Sequence, residues 1–307
     1  MLKKRAVSTA MLVSCALIWG TSYIAQILGM QEIGPLTFCA SRYVVSVAAL
    51  ALLLSVLGKR RGNADGGRGV LTAEEKRAER RKTIRNGAIC GLALFSGSVL
   101  QLVGMQETTA GKAAFITATF IVIVPLYGLL AGRIPSRAAI ASIFMSMCGL
   151  YLLSIKDGFT IERGDLIILL GAFFWAAHIM ACSAFSRRSD PVKLSAVQFA
   201  TVALLSVAGA LIFEKPGFAA VAASWPPVVY AGLVCTCVAY TFQMAAQRYV
   251  QPLTTCIIMS TESVFAAIFG YIVLGETLSA RELTGCAVLF AATLIAQLDE
   301  VRNGTAN

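Results

Sequence analysis

Charge is what this 307-residue chain has least of: 14% of its residues are Asp, Glu, Lys or Arg, whereas 57% are hydrophobic. An average soluble domain is roughly a quarter charged and under half apolar, so an ordinary cytosolic enzyme, a disordered chain and a collagen-like or coiled-coil fibre are excluded. Histidine is nearly absent too. With the single His178 there is no zinc-ligand spacing to argue from. The nine cysteines contain no C-x-x-C pair, all fall in apolar stretches, and read as small packing residues. No G-x-x-x-x-G-K-[ST] phosphate loop occurs, so direct coupling to ATP has no support, and neither a metal nor a cofactor is expected.

What the chain does have is long apolar runs. Crossing a bilayer takes about 20 mostly apolar residues, and ten stretches qualify: Ala6–Leu28, Pro35–Leu57, Gly87–Gln106, Ala113–Gly132, Ala138–Ile155, Leu166–Ser186, Leu194–Phe213, Trp225–Gln247, Pro252–Gly275 and Leu283–Leu298. Lys3, Lys4 and Arg5 resemble the start of a signal peptide, but Trp19, Tyr23 and Gln26 carry the first span past any cleavage motif, so it is expected to be retained. The longest polar interval, Gly58–Asn86, ends in a charged helical stretch, Thr72–Arg85, and leaves no room for a soluble domain. The chain reads as an all-α membrane protein of ten transmembrane helices.

The net charge of +10 would ordinarily raise the question of nucleic acid. Its distribution answers otherwise. With the N-terminus inside, the inner segments hold 20 Lys and Arg, ten of them between Lys59 and Arg85; the outer loops hold five, and Arg42 lies within the second span. The positive-inside rule therefore places both termini in the cytoplasm and accounts for the charge without a nucleic-acid partner.

Internal repeats give the architecture. Ile18-Trp19-Gly20 matches Phe174-Trp175-Ala176 at an offset of 156, and Pro35 matches Pro191 at the same offset. Gly132-Arg133-Ile134-Pro135-Ser136 matches Gly275-Glu276-Thr277-Leu278-Ser279 at 143. Residues 1–155, with the cytoplasmic loop 58–86, form one five-helix repeat and residues 166–300 the other. Five is odd, so the second repeat enters the membrane inverted. Inverted repeats are common in secondary transporters, with the substrate near the midplane where the halves meet.

Four patterns stand out: Trp19-Gly20; Pro35 followed by Arg42-Tyr43; Ala110-Gly111-Lys112-Ala113-Ala114-Phe115-Ile116 leading to Pro125; and Glu262-Ser263-Val264-Phe265-Ala266 leading to Leu274-Gly275-Glu276-Thr277-Leu278-Ser279. In their order and spacing they resemble a known family, the EamA-type ten-helix members of the drug/metabolite transporter superfamily. The likeness covers essentially the whole chain. It implies a carrier of small metabolites linked to the proton-motive force, often an exporter of amino acids or related compounds. The chain departs from the family at Ser263, where a proline commonly follows the ninth-helix glutamate.

A charge at the bilayer centre costs about 2.5–3.5 kcal/mol on insertion scales and is rarely kept without a partner or a function. Only Arg42 and Glu262 qualify. Glu262 lies about 15 Å in from the cytoplasmic end of its helix and Arg42 about 10 Å in from the outer end, so the two can pair. Two readings of Glu262 stand side by side: a proton carrier or counter-charge for an amino group, or half of a structural ion pair that fixes helix register. His178 can titrate near neutrality or serve as a hydrogen-bonded core residue. Trp19, Ser22, Tyr23 and Gln26 form a stripe at i, i+3, i+4 and i+7, suited to a cavity or to interhelical packing. Gln243 and Gln247 with Tyr240 make a similar face in the eighth helix, Gln101 with Ser98 a weaker one in the third, and Trp175 shares a face of the sixth with His178. Gly87-x-x-x-Gly91 and Gly128-x-x-x-Gly132 permit close helix contact within a monomer or in a homodimer.

The expectation is a secondary active transporter, an exporter, of small organic metabolites such as amino acids or amines. It would lie in the cytoplasmic (inner) membrane, couple to protons through Glu262, and alternate its two halves around a cavity lined by the first, third, fourth, sixth, eighth and ninth helices. A sugar-phosphate or nucleotide-sugar anion exchanger is the alternative, but only Arg42 offers it a membrane cation. A membrane-embedded transferase would need clustered carboxylates or a His/Asp site. The spans supply one carboxylate, so no enzyme activity is expected.

Overall fold

The computed structural model describes residues 2–62, 72–108, 110–130, 132, 134–155, 161–274 and 279–304. Among these, ten helices are long and apolar enough to cross a membrane. They are α1 (Leu2–Gly29), α2 (Pro35–Gly62), α3 (Ala73–Gly104), α4 (Ala110–Thr117 with Phe120–Leu130), α5 (Arg137–Ser154), α6 (Arg163–Ser186), α7 (Pro191–Gly209, extended by a π-helical turn Ala210–Glu214), α8 (Trp225–Tyr230, a π-helical stretch Ala231–Val238, then Ala239–Ala246), α9 (Pro252–Met259 with Glu262–Leu274) and α10 (Ala280–Gly304). The expected residues Ala110, Gly111, Ala131, Arg133, Lys156 and 274–278, and all of 57–71, lie outside the described side chains.

Local chemistry sets the ends of these helices. Pro35 and Pro191 each open their helix at the first turn, where a missing N–H costs nothing. Ser136 caps α5 by accepting from Ala139 N at 2.9 Å. Ser279, its counterpart in the second repeat, caps α10 through a reciprocal bond with Glu282. Thr72 and Glu75 form the same box at the start of α3. The charged stretch before the third span is helical, as its sequence leads one to expect. It is the first turns of a 32-residue α3, about 48 Å long, which stands well beyond a hydrocarbon core of about 30 Å. The last span, expected as Leu283–Leu298, is a full 25-residue helix.

Two other helices are not the continuous spans that hydropathy suggested. The α4 and α9 helices each break near their middle, and the two breaks share one hydrogen-bond pattern at an offset of 142. Thr119 N bonds to Ile116 O at 3.1 Å and Thr261 N to Ile258 O at 3.2 Å; Val122 N bonds to Thr119 O at 2.9 Å and Val264 N to Thr261 O at 3.0 Å. The hydroxyls of Thr119 and Thr261 donate to the same two carbonyls, both at 2.6 Å. A threonine hydroxyl competing for the carbonyl of the preceding turn bends a helix. The break in α9 therefore needs no proline after Glu262.

Packing repeats as well. A Cβ at Gly91 of α3 would stand 2.9 Å from the Gln198 carbonyl oxygen and 2.6 Å from Thr201 Cβ of α7. One at Gly232 of α8 would stand 2.8 Å from the Arg42 carbonyl oxygen and 2.9 Å from Val45 Cβ of α2. Residues 42 and 198, and 45 and 201, are 156 apart, so the same backbone-to-backbone contact is made once in each direction between the halves. The two ends of the chain meet on one face, where Arg5 pairs with Glu300 at 2.6 Å. The same carboxylate accepts Gln251 N at the start of α9 at 2.9 Å. We call this the termini face.

Candidate functional site

Where the halves meet, a cavity of about 60 Å³ is lined by Trp19, Ser22, Tyr23 and Gln26 of α1, Arg42 of α2, Gln101 of α3, Thr117 and Phe120 of α4, Trp175 and Ile179 of α6, Cys235 and Tyr240 of α8, and Met259 and Glu262 of α9. A water needs roughly 10–15 Å³ of such space, so the cavity holds a few waters or a small polar group. Both helix breaks supply its walls: Thr117 and Phe120 flank the first, and Met259 and Glu262, 142 residues later, flank the second. Phe120 is thus the neutral counterpart of Glu262.

Glu262 sits at the first turn of the second half of α9. The Tyr23 hydroxyl donates to Glu262 Oε1 at 3.4 Å, and Gln101 Nε2 donates to the Tyr23 oxygen at 3.5 Å. These long bonds join α3, α1 and α9 into one polar chain. Beside Tyr23 on α1, Ser22 donates to Trp19 O at 2.8 Å and Gln26 Nε2 donates to Ser22 Oγ at 3.2 Å. Trp19 Nε1 donates to Cys235 O at 2.9 Å, a carbonyl within the π-helical stretch of α8. The aromatic wall is continuous: the Tyr240 ring lies 4.9 Å from Trp19 and parallel to Trp175 at 6.2 Å, centroid to centroid.

The ion pair that helix depth allowed between Arg42 and Glu262 is not formed. Both groups line the cavity, but the ion pairs among the described residues do not include them. The Arg42 guanidinium instead lies 5.0 Å from the Tyr43 ring centroid and 5.7 Å from that of Phe38, a cation–π setting. Its Nε has no hydrogen-bond partner. A buried cation and a half-buried carboxylate therefore face one small cavity, each without its opposite.

His178 and Gln243 lie off this cavity. His178 is fully buried behind Trp175 and Tyr240, edge-on to both rings. Its Nε2 is 3.0 Å from Gln198 Oε1 and 3.2 Å from Cys182 Sγ. Gln243 Nε2 donates to Gln247 Oε1 at 3.3 Å, and Gln247 Nε2 donates to Ile179 O at 3.0 Å, which staples α8 to α6. Sequence reasoning passed over Thr117, Phe120, Ile179, Cys235 and Met259. One of these was within its reach, because Ile179 stands 156 residues after Tyr23. The apolar residues at the breaks carried no signal of their own. Among the described residues no three His, Cys, Asp or Glu side chains are grouped to hold a metal.

Toward the termini face, α3, α6 and the start of α9 line a second cavity of about 380 Å³. Lys82, Arg85, Arg187 and Arg188 surround it, with no carboxylate in its wall. Ser183 on its rim is four residues from Ile179, about 6 Å along α6.

The sequence pattern of the EamA-like transporter family matches residues 7–155 and again 162–297. The chain belongs to the EamA-like transporter family. Among its relatives, an uncharacterized transporter of Archaeoglobus fulgidus is 27% identical over 296 residues, covering 96% of this chain and 87% of that one. The uncharacterized transporter YoaV of Bacillus subtilis is 21% identical over 91% of this chain and 92% of its own length. A WAT1-related chloroplastic protein of Arabidopsis thaliana is 24% identical over 94% of this chain and 69% of its own length. A solved crystal structure superposes with a TM-score of 0.74 over 97% of this chain and 98% of that one, at 18% identity, which shares the fold. This EamA-like chain is accordingly a multi-pass membrane transporter of small solutes.

Proposed function

We propose that this EamA-like protein is a proton-coupled secondary transporter that exports small organic metabolites such as amino acids or amines by alternating access. The observation that carries the reading is the unpaired Arg42 and Glu262 facing one aromatic-walled cavity at the junction of two broken helices. A zwitterion supplies both missing charges, its carboxylate toward Arg42 and its ammonium toward Glu262 and the faces of Trp19, Trp175 and Tyr240. A proton on Glu262 competes with the ammonium for the same oxygens, which makes the two fluxes exchange. The positive-inside charge distribution supports both termini in the cytoplasm of a cell whose inner membrane holds the protein, and the basic cavity as the inner mouth. The four cations of that mouth favour the alternative anion exchanger, but the single cation in the central cavity gives a multiply charged anion too little to bind.

The test is purified protein in liposomes with an imposed pH gradient, screened against amino acids and amines for solute movement. Wild type is expected to move a zwitterionic or cationic solute, and Glu262→Gln to lose the response to the gradient. A Glu262→Gln variant with the wild-type pH dependence would remove Glu262 from the proton-carrying role, and competition by phosphate esters would favour the anion exchanger.

A further inference from the structure

The long α3 helix creates a site that transport does not use. At Gly87, α3 approaches α7 so closely that a Cβ would stand 2.5 Å from Val197 Cβ. On the termini side of this contact the two helices and α2 line a groove of about 500 Å³. Its wall is graded along the helices. Leu54 of α2, Ile84 of α3 and Ala196 and Val197 of α7 line the deeper part; Lys76 and Arg80 of α3 and Lys193 at the start of α7 line the outer part, with Glu79 the single carboxylate and Thr83 between. From Ile84 to Lys76 is eight residues, about 12 Å, so the change from apolar to cationic spans the depth of a lipid headgroup region. Lys76, Arg80 and Lys193 are exposed and make no ion pair among the described residues.

We propose that this groove binds an anionic glycerophospholipid. Its phosphate sits among Lys76, Arg80 and Lys193, and an acyl chain runs down Leu54, Ile84 and Val197. Charge complementarity names the occupant: a zwitterionic lipid offers no net charge to the surplus cations, and an anionic one does. The apolar floor separates a lipid from a free phosphate ion. A Lys or Arg held near an anionic lipid surface favours binding about fivefold, so three cations less one carboxylate predict a preference of roughly 25-fold.

The experiment is native mass spectrometry of the full chain, released from detergent holding equal amounts of phosphatidylglycerol and phosphatidylcholine with the same acyl chains. Wild type is expected to retain the anionic lipid by about tenfold or more, and Lys76→Gln/Arg80→Gln/Lys193→Gln to fall near parity. Arg187→Gln/Arg188→Gln, whose side chains line the other basic cavity, should keep the preference. Ile84→Gln, an exposed change in the floor, should lower retention of both lipids, and inorganic phosphate in millimolar excess should displace neither. An undiminished preference in the triple variant, an equal loss in the Arg187/Arg188 variant, or displacement by phosphate would each overturn the assignment.

Discussion

Gly20, beside Trp19 in the first helix, gives the sharpest test of how the halves are packed. A Cβ there would stand 2.8 Å from Phe265 Cβ, 2.9 Å from Ala266 N and 2.9 Å from Glu262 O. None of these atoms can rotate away, because two are backbone and the third is fixed to it. Ordinary contact begins near 3.4 Å, so in Gly20→Ala the second half of α9 must retreat by about 0.5 Å. Overpacking of this kind costs about 1–3 kcal/mol, with a forced backbone shift toward the upper end, and alanine returns about 1 kcal/mol of helix propensity. The expected net loss is about 1–2 kcal/mol, a factor of 5–30 in the folded ratio. Glu262 opens the segment that moves, and its 3.4 Å bond from Tyr23 has no slack, so transport should fall even though no cavity side chain has changed. The assay is thermal unfolding in detergent followed by a thiol-reactive dye, since Cys15, Cys39, Cys90, Cys182, Cys235 and Cys256 are free and buried. Gly217→Ala is the control, because a Cβ there meets nothing within 4 Å. If Gly20→Ala unfolds at or above the wild-type temperature with transport intact, the close approach of α1 to α9 does not position Glu262.

Two further substitutions probe the supports of the cavity. His178→Ala leaves the buried Gln198 Oε1 without its partner and should lower stability by about 1–3 kcal/mol, while the pH dependence of transport stays that of wild type; a shifted pH profile would make His178 a participant in proton transfer. Glu214 closes the start of α2, accepting Leu36 N and Thr37 N at 2.8 Å and Thr37 Oγ1 at 2.6 Å. In Glu214→Gln the charge-assisted bonds at a helix N-terminus weaken, so thermal stability should fall by about 1–2 kcal/mol, and an unchanged unfolding temperature would mean that α2 holds its position without this tie.

Much of the architecture needed no coordinates. Length, hydropathy and parity of the repeats lead to ten helices in two inverted sets, because a bilayer admits so few backbone solutions. Helical periodicity also put Trp19, Tyr23 and Gln26 on one face, and the charge cost of the bilayer singled out Arg42 and Glu262. Periodicity does not say how far a helix is turned about its own axis relative to its neighbours. For that reason the sequence ranked the Gln101 face below that of Gln243, yet Gln101 reaches Tyr23 at the cavity while Gln243 bonds to Gln247, which ties α8 to α6. His178, three residues from Trp175, likewise turns into the core.

The sequence by itself determined that this chain crosses the membrane ten times with most of its basic residues gathered on one side, since that depends only on the transfer free energies of side chains. Tertiary structure alone decided that Arg42 and Glu262 share a cavity without pairing, and that α4 and α9 break at Thr119 and Thr261. Both outcomes depend on which carbonyl, ring or hydroxyl another helix or the preceding turn brings within about 3–5 Å, and that is a property of the packed halves.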